Sequence, residues 1–238
     1  MKETTPAAMP PCFERWCQRF NDVFTHKAQK REFRHYVGGL LGESERKNLS
    51  QMAENAVDVS SHRLHHFLTE APWSSPQVNE RRLQIMNKCS QTRISRGFSL
   101  IIDDSGHRKS GNFTDGVGRQ YIGEIGKTDN GIVVVTTHLY DGRKSLPLDI
   151  ELYQHADSLA EGKQDPLFEK KPELAIKLID LTLSRGYQPG IVIIDGGYGN
   201  NVSFLLKLEN RKLKYLGGLA KNRKVTVNDK QEIQKTIR

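Results

Sequence analysis

The chain has 238 residues, 36% of them apolar and 27% charged, with a net charge of +8. That length buries a sizeable core, as one large domain or a main domain with a smaller partner, and no run approaches the roughly 18–20 apolar residues of a membrane helix. The first residues, MKETTPAA, lack the apolar stretch of a signal peptide, and three cysteines (Cys12, Cys17, Cys89) without CxxC spacing argue against a disulfide framework or a zinc knuckle. The expectation is a cytoplasmic protein with free thiols and no membrane partner.

In chain order, residues 1–95 read as helical. Residues 13–41 carry aromatic and apolar positions among charges, with Gly38 and Gly39 as expected terminators. Helices follow over 43–56, 61–69 and 76–88, the last opened by Ser74, Ser75 and Pro76, so four short helices are expected to form a small bundle. Residues 52–68 have the texture of a helix-turn-helix, with Arg63 on a polar second helix as a candidate DNA contact, although any two short helices with a polar turn share that texture. His62, His65 and His66 fall at helical spacing, but no Cys or carboxylate accompanies them as a zinc site requires.

From about residue 96 the texture turns to β. Residues 98–104 are apolar up to Asp103 and Asp104, as in a strand covered on both faces. Two β-branched and aromatic runs, 119–126 and 132–140, flank Asn130-Gly131, a strong hairpin signal. A further extended piece over 146–153 leads to a polar loop over 154–170. A helix is expected over 171–183, with Pro172 and Glu173 in its first turn and Leu174, Leu178 and Leu181 along one stripe. The buried run ending at Asp195 comes next, then a helix over 202–210 and a strand over 214–220. This is a mixed α/β plan with a central sheet.

Asp104 and Asp195 lie 91 residues apart, each at the end of an apolar run. Such acids suit magnesium, which takes oxygen ligands and keeps several waters, and two such ions serve phosphodiester chemistry. Asp103 and Asp104 face opposite ways on a regular strand, so only one of them is a ligand. From residue 206 onward, ten Lys/Arg face three acids, including Lys221, Arg223 and Lys224. That segment is either a solvated face or a phosphate-contacting surface. Residues 123–128 (GEIGKT) mimic the end of a phosphate-binding loop, but Tyr121 stands where the pattern needs glycine.

Five segments in order, 101–106 (IIDDSG), 118–127 (GRQYIGEIGK), 146–149 (LPLD), 171–174 (KPEL) and 193–199 (IIDGGYG), resemble bacterial insertion-sequence transposases of the DDE, RNase H-like superfamily. The resemblance spans residues 46–223. It implies an RNase H-like mixed sheet with flanking helices over 96–238, preceded by a helical domain over 1–95 that is a candidate for DNA binding. It implies metal ligands at Asp104, with Asp103 as alternative, and Asp195, holding Mg2+ or Mn2+ for DNA cleavage and strand transfer. Lys221, Arg223 and Lys224 would contact DNA, both transposon ends and target; the full-length protein would be a nucleoid-associated homodimer. In that family a third acid, a Glu on a later helix, follows the second Asp by more than the 43 residues present here, and Glu209 and Glu232 lack its context. The expectation is therefore a truncated, inactive copy, with a non-catalytic DNA-binding protein of transposase ancestry as the alternative.

Overall fold

The structure, a computed structural model, describes residues 10–56 and 58–223. The chain divides into two compact units, Met1–Arg93 and Ile94–Arg238.

Among the described residues, the first unit contains five helices: α1 (Pro11–Gln18), α2 (Lys27–Leu41), α3 (Leu49–Glu54), α4 (Ser61–Thr69) and α5 (Ser75–Lys88). Three begin at side-chain caps: Asn48 accepts from Gln51 N at 2.9 Å, Ser60 from Arg63 N and Ser74 from Gln77 N at 3.3 Å each. Phe20, Phe24, Phe33 and Phe67 form the core, with Trp16 and Trp73 packed against it. The indole N–H of Trp73 donates to Phe67 O at 2.5 Å, so its polar end is satisfied.

Sequence and structure part company at two points here. Residues 13–41 are not one helix, because the chain turns between α1 and α2 to bury Phe20 and Phe24. Gly38 and Gly39 end nothing; α2 runs on to Leu41. Gly39 is small because α3 needs the space: a Cβ there would lie 2.7 Å from Met52 Cε.

Among the described residues, the second unit is built on six strands: β1 (Ser99–Arg108), β2 (Gly118–Ile122), β3 (Lys127–Tyr140), β4 (Ser145–Tyr153), β5 (Ile191–Ile194) and β6 (Tyr215–Gly217). β3 lies antiparallel to β1, β2 and β4, while β5 is parallel to β1 and β6 to β5. Gly131 pairs with Arg108 on one side and Gly118 on the other, so β2 lies across β3 from β1. The path runs β2-β3-β1-β5-β6, with β4 also on β3. Pro147 in β4 has no N–H for the ladder, and the register slips between Thr137 and His138 beside it. The buried Thr137 hydroxyl accepts Asp149 N at 3.1 Å there.

Helices α6 (Lys171–Ser184), α7 (Gly196–Gly199) and α8 (Val202–Asn210) complete the unit. α6 packs on β3 and β4 and buries Leu174, Ala175, Leu178, Ile179 and Thr182. Leu181, expected in that stripe, is exposed, because the buried face runs through 175, 179 and 182 instead. The mixed sheet with flanking helices is the RNase H-like arrangement. Among the described residues no helix is long and apolar enough to cross a membrane.

The turn signal at Asn130-Gly131 also resolves differently. Both residues lie inside β3, and the chain reverses earlier, through a single helical turn at Gly123–Ile125 and Gly126 in the left-handed region at φ 64°. Gly131 is required by crowding, since a Cβ there would lie 2.5 Å from His107 O. The Asn130 amide donates to Lys109 O and Gly111 O at 3.0 and 3.1 Å. Residues 123–128 thus open a strand and no helix, unlike a phosphate-binding loop.

Candidate active site

β1 does not end at Asp104; it continues to Arg108 because residues 103–108 pair with β3. β5 is shorter and pairs only with residues 99–102. Beyond Ile102, β1 therefore has no β5 partner, and both acids lie along that open edge. Alternation puts Asp104 on the face of buried Leu100 and Ile102, and Asp103 on the other. Asp103 is exposed and folds back, its Oδ1 accepting Asp104 N at 2.8 Å.

Asp195 follows β5 directly and caps α7, its Oδ1 accepting Tyr198 N at 3.1 Å. This short turn swings the Tyr198 ring into the interior, 5.2 Å from the ring of Phe204. The Tyr198 hydroxyl then donates to Asp104 Oδ1 at 2.5 Å. One tyrosine thus bonds both aspartates. Burial pushes the Tyr198 phenol far above its ordinary range, and the charge of Asp104, its hydrogen bond, and the charges of Asp195 and Asp103 push the same way.

The other Asp104 oxygen is also engaged: Lys171, the first residue of α6, brings Nζ to 2.9 Å from Oδ2. The same ammonium lies 5.4 Å above the Tyr153 ring. Neither Lys171 nor Tyr198 was singled out as a site residue from the sequence. Both stand inside the segments 171–174 (KPEL) and 193–199 (IIDGGYG) that carry the resemblance, and a polar side chain in such a segment is the available signal.

Two glycines let α7 meet the exit from β6. A Cβ on Gly199 would lie 2.1 Å from Gly218 O, and one on Gly217 would lie 2.9 Å from Ile194 Cγ1. Asn200 secures the chain beyond: its Oδ1 accepts Ala220 N at 3.0 Å and Arg223 Nε at 3.2 Å, and its backbone carbonyl accepts Arg223 Nη2. Lys221 and Arg223 are exposed on this segment, while Lys224 and Glu232 lie outside the described residues. Glu209 on α8 accepts from the Tyr215 hydroxyl at 2.8 Å.

In the helical unit Arg63 has internal partners. Its Nε and Nη2 donate to buried Glu32, and Nη1 donates to Asp58 O at 2.9 Å. His65 contacts the Thr69 hydroxyl and His66 lies 3.8 Å from Glu70.

The donor set at the sheet edge is carboxylate oxygen, which fits a hard divalent cation. Among the described residues no group of three or more His, Cys, Asp or Glu side chains is arranged to hold a metal ion, so Asp103 does not complete a triad with the other two.

Within this RNase H-like mixed sheet, Tyr198 links Asp104, midway along β1, with Asp195, just past the end of β5. The chain belongs to the DDE superfamily endonuclease family, whose model matches residues 19–236. It is 33% identical over 236 residues to a probable transposase for insertion sequence element IS701 from Microchaete diplosiphon. That match covers 98% of this chain and 60% of the relative, so the chain spans less than two thirds of the relative's length.

Proposed function

We propose that this chain carries the first two acids of a transposase active site, Asp104 and Asp195, for cleavage and strand transfer at insertion-sequence ends. The observation that carries this reading is the double use of Tyr198, whose hydroxyl meets Asp104 and whose N–H meets Asp195. It holds two acids distant in sequence in fixed orientation at one open sheet edge. Asp104 is preferred to Asp103 because only Asp104 shares this bond.

Asp104 and Asp195 would hold Mg2+ or Mn2+. Two such ions supply activation of the attacking oxygen and stabilisation of the leaving one. The protein's own part is orientation: Tyr198 fixes the Asp104 carboxylate, and the Asp195 cap fixes the second one. Lys221 and Arg223, exposed beyond β6, would contact DNA phosphates, as Lys224 would. Arg63 would reach DNA only by exchanging Glu32 for a phosphate. A homodimer on transposon ends, associated with the nucleoid, is the assembly this reading implies for the whole protein.

A second reading is DNA binding without cleavage, and the absence of a three-acid cluster among the described residues favours it. Supercoiled DNA carrying the element's ends, incubated with the chain and Mn2+, separates the two. Nicking that disappears in Asp195→Ala supports the catalytic reading; a gel shift with no nicking supports the other.

A further inference from the structure

Lys171 stands at a position where helix electrostatics disfavour it. It is the first residue of fourteen-residue α6, so its charge lies at the positive end of the helix dipole. Its ammonium nevertheless sits on Asp104 Oδ2 at 2.9 Å, with side-chain exposures of 28% and 30% for the two partners. A half-buried ion pair of this kind makes only a modest contribution to folding stability. A cation held there against the dipole, beside a candidate metal ligand, calls for another explanation.

Its surroundings supply one. The Tyr153 ring lies under the ammonium at 5.4 Å, and Tyr198 already satisfies the other Asp104 oxygen. Lysine is a compact charge on a flexible four-carbon stem, so it can leave one oxygen for another a few ångströms away. Two cations on Oδ2 repel each other, so Lys171 has to leave when a divalent ion arrives. The start of α6 favours an anion as the new partner, and bound DNA would bring backbone phosphates as such anions.

We propose that Lys171 is a further catalytic residue: it rests on Asp104 in the metal-free chain and transfers to a non-bridging oxygen of the DNA phosphate being cleaved when metal binds. The proposal rests on the reading of Asp104 as a metal ligand, and no bond is made or broken in the transfer.

The test measures Mn2+ binding without DNA, by the electron-spin resonance of free Mn2+, and binding of a mixed-sequence DNA duplex across a salt series with Mn2+ present. In Lys171→Met, Mn2+ binding should tighten roughly 3- to 10-fold, because the competing cation is gone. DNA binding in Mn2+ should weaken by a similar factor, with a salt slope shallower by about one. A merely structural lysine would lower the melting temperature and move neither quantity, and that result overturns the proposal. Lys171→Gln serves if the Met variant does not fold. Asp104→Asn separates the two levels: wild-type Mn2+ binding in that variant overturns the ligand reading and this proposal with it. Lost binding there, with Lys171→Met behaving as wild type, overturns the lysine's role alone.

Discussion

The Tyr198 hydroxyl donates to Asp104 Oδ1 across 2.5 Å, joining the turn after β5 to the middle of β1. Its phenol is held above its ordinary value of 10.0, first by burial and then by Asp104, Asp195 and Asp103. It is a permanent donor and no base. Because the folded value is raised, its contribution is complete below the unfolded value and is lost as pH rises above it, where only the unfolded chain ionises. Absorbance titration should show one tyrosine that ionises only as the domain unfolds. Tyr198→Phe should abolish that late step and flatten the alkaline loss of stability. At neutral pH it should cost about 1 kcal/mol, since the ring still packs on Phe204. Unchanged alkaline titration in the variant would assign the late step to another tyrosine.

Asp195 caps α7, and substitution can separate that structural task from the chemical one proposed for it. Asparagine caps a helix as well as aspartate does, whereas alanine costs about 1 kcal/mol. On the catalytic reading proposed above, Asp195→Asn should therefore melt close to the wild type while losing metal-dependent nicking of end DNA. Asp195→Ala should lose both nicking and about 1 kcal/mol of stability. Nicking at wild-type rate by Asp195→Asn would remove Asp195 from the metal site.

How much of this could be seen in the residues alone depended on the range of the interaction. The runs before Asp103 and Asp195 are apolar at nearly every position, and α6 opens with Pro172 and Glu173, so the two adjoining central strands and the helix between them were legible. Glycine was the main source of error. Asn130-Gly131 and Gly38-Gly39 look like turn and stop signals, yet Gly131 and Gly39 are small because His107 O and Met52 would meet any larger side chain. Crowding by a distant segment leaves no local trace. The extent of β1 was missed for a related reason: Ser105 to Arg108 are strand because β3 is there to pair with them. The bond between Tyr198 and Asp104 spans 94 residues, and no spacing rule reaches that far.

Glu32, paired with Arg63, contributes to the acid stability of the helical unit. Burial alone would push Glu32 up, but hydrogen bonds from Arg63, Arg31 and His35 outweigh it and hold the carboxyl below its ordinary value of 4.5. A lowered folded value means that the contribution is complete above 4.5 and is lost as pH falls through the folded value. Both tryptophans, Trp16 and Trp73, belong to this unit, so their fluorescence isolates its unfolding. The fluorescence melting temperature should fall below pH 4.5. That slope should be shallower in Glu32→Gln. Arg63→Met should cost about 1–3 kcal/mol at neutral pH, less than a fully buried pair because the guanidinium is partly exposed. An equal acid slope in Glu32→Gln would place the acid sensitivity elsewhere.

Gly199 marks a close approach of two backbone segments in the second unit. An added Cβ would lie 2.1 Å from Gly218 O, a backbone atom that no side-chain rotation can move away. The segment after β6 is tied to the same turn by Asn200, which holds both Ala220 and Arg223, so displacing Gly218 pulls on Arg223 as well. Gly199→Ala should therefore cost about 1–3 kcal/mol, the range for overpacking. It should also disturb α7, and with it the Tyr198 bond to Asp104. Gly197→Ala is the matched control. The nearest atoms to its Cβ would be those of the Asp195 carboxylate, at 3.2 Å, a side chain and not backbone. Thermal unfolding with hydrogen exchange at Gly217 and Gly218 should show faster exchange in Gly199→Ala and near wild-type exchange in Gly197→Ala. Equal behaviour of the two variants would mean that the approach of α7 to β6 is looser than the geometry requires.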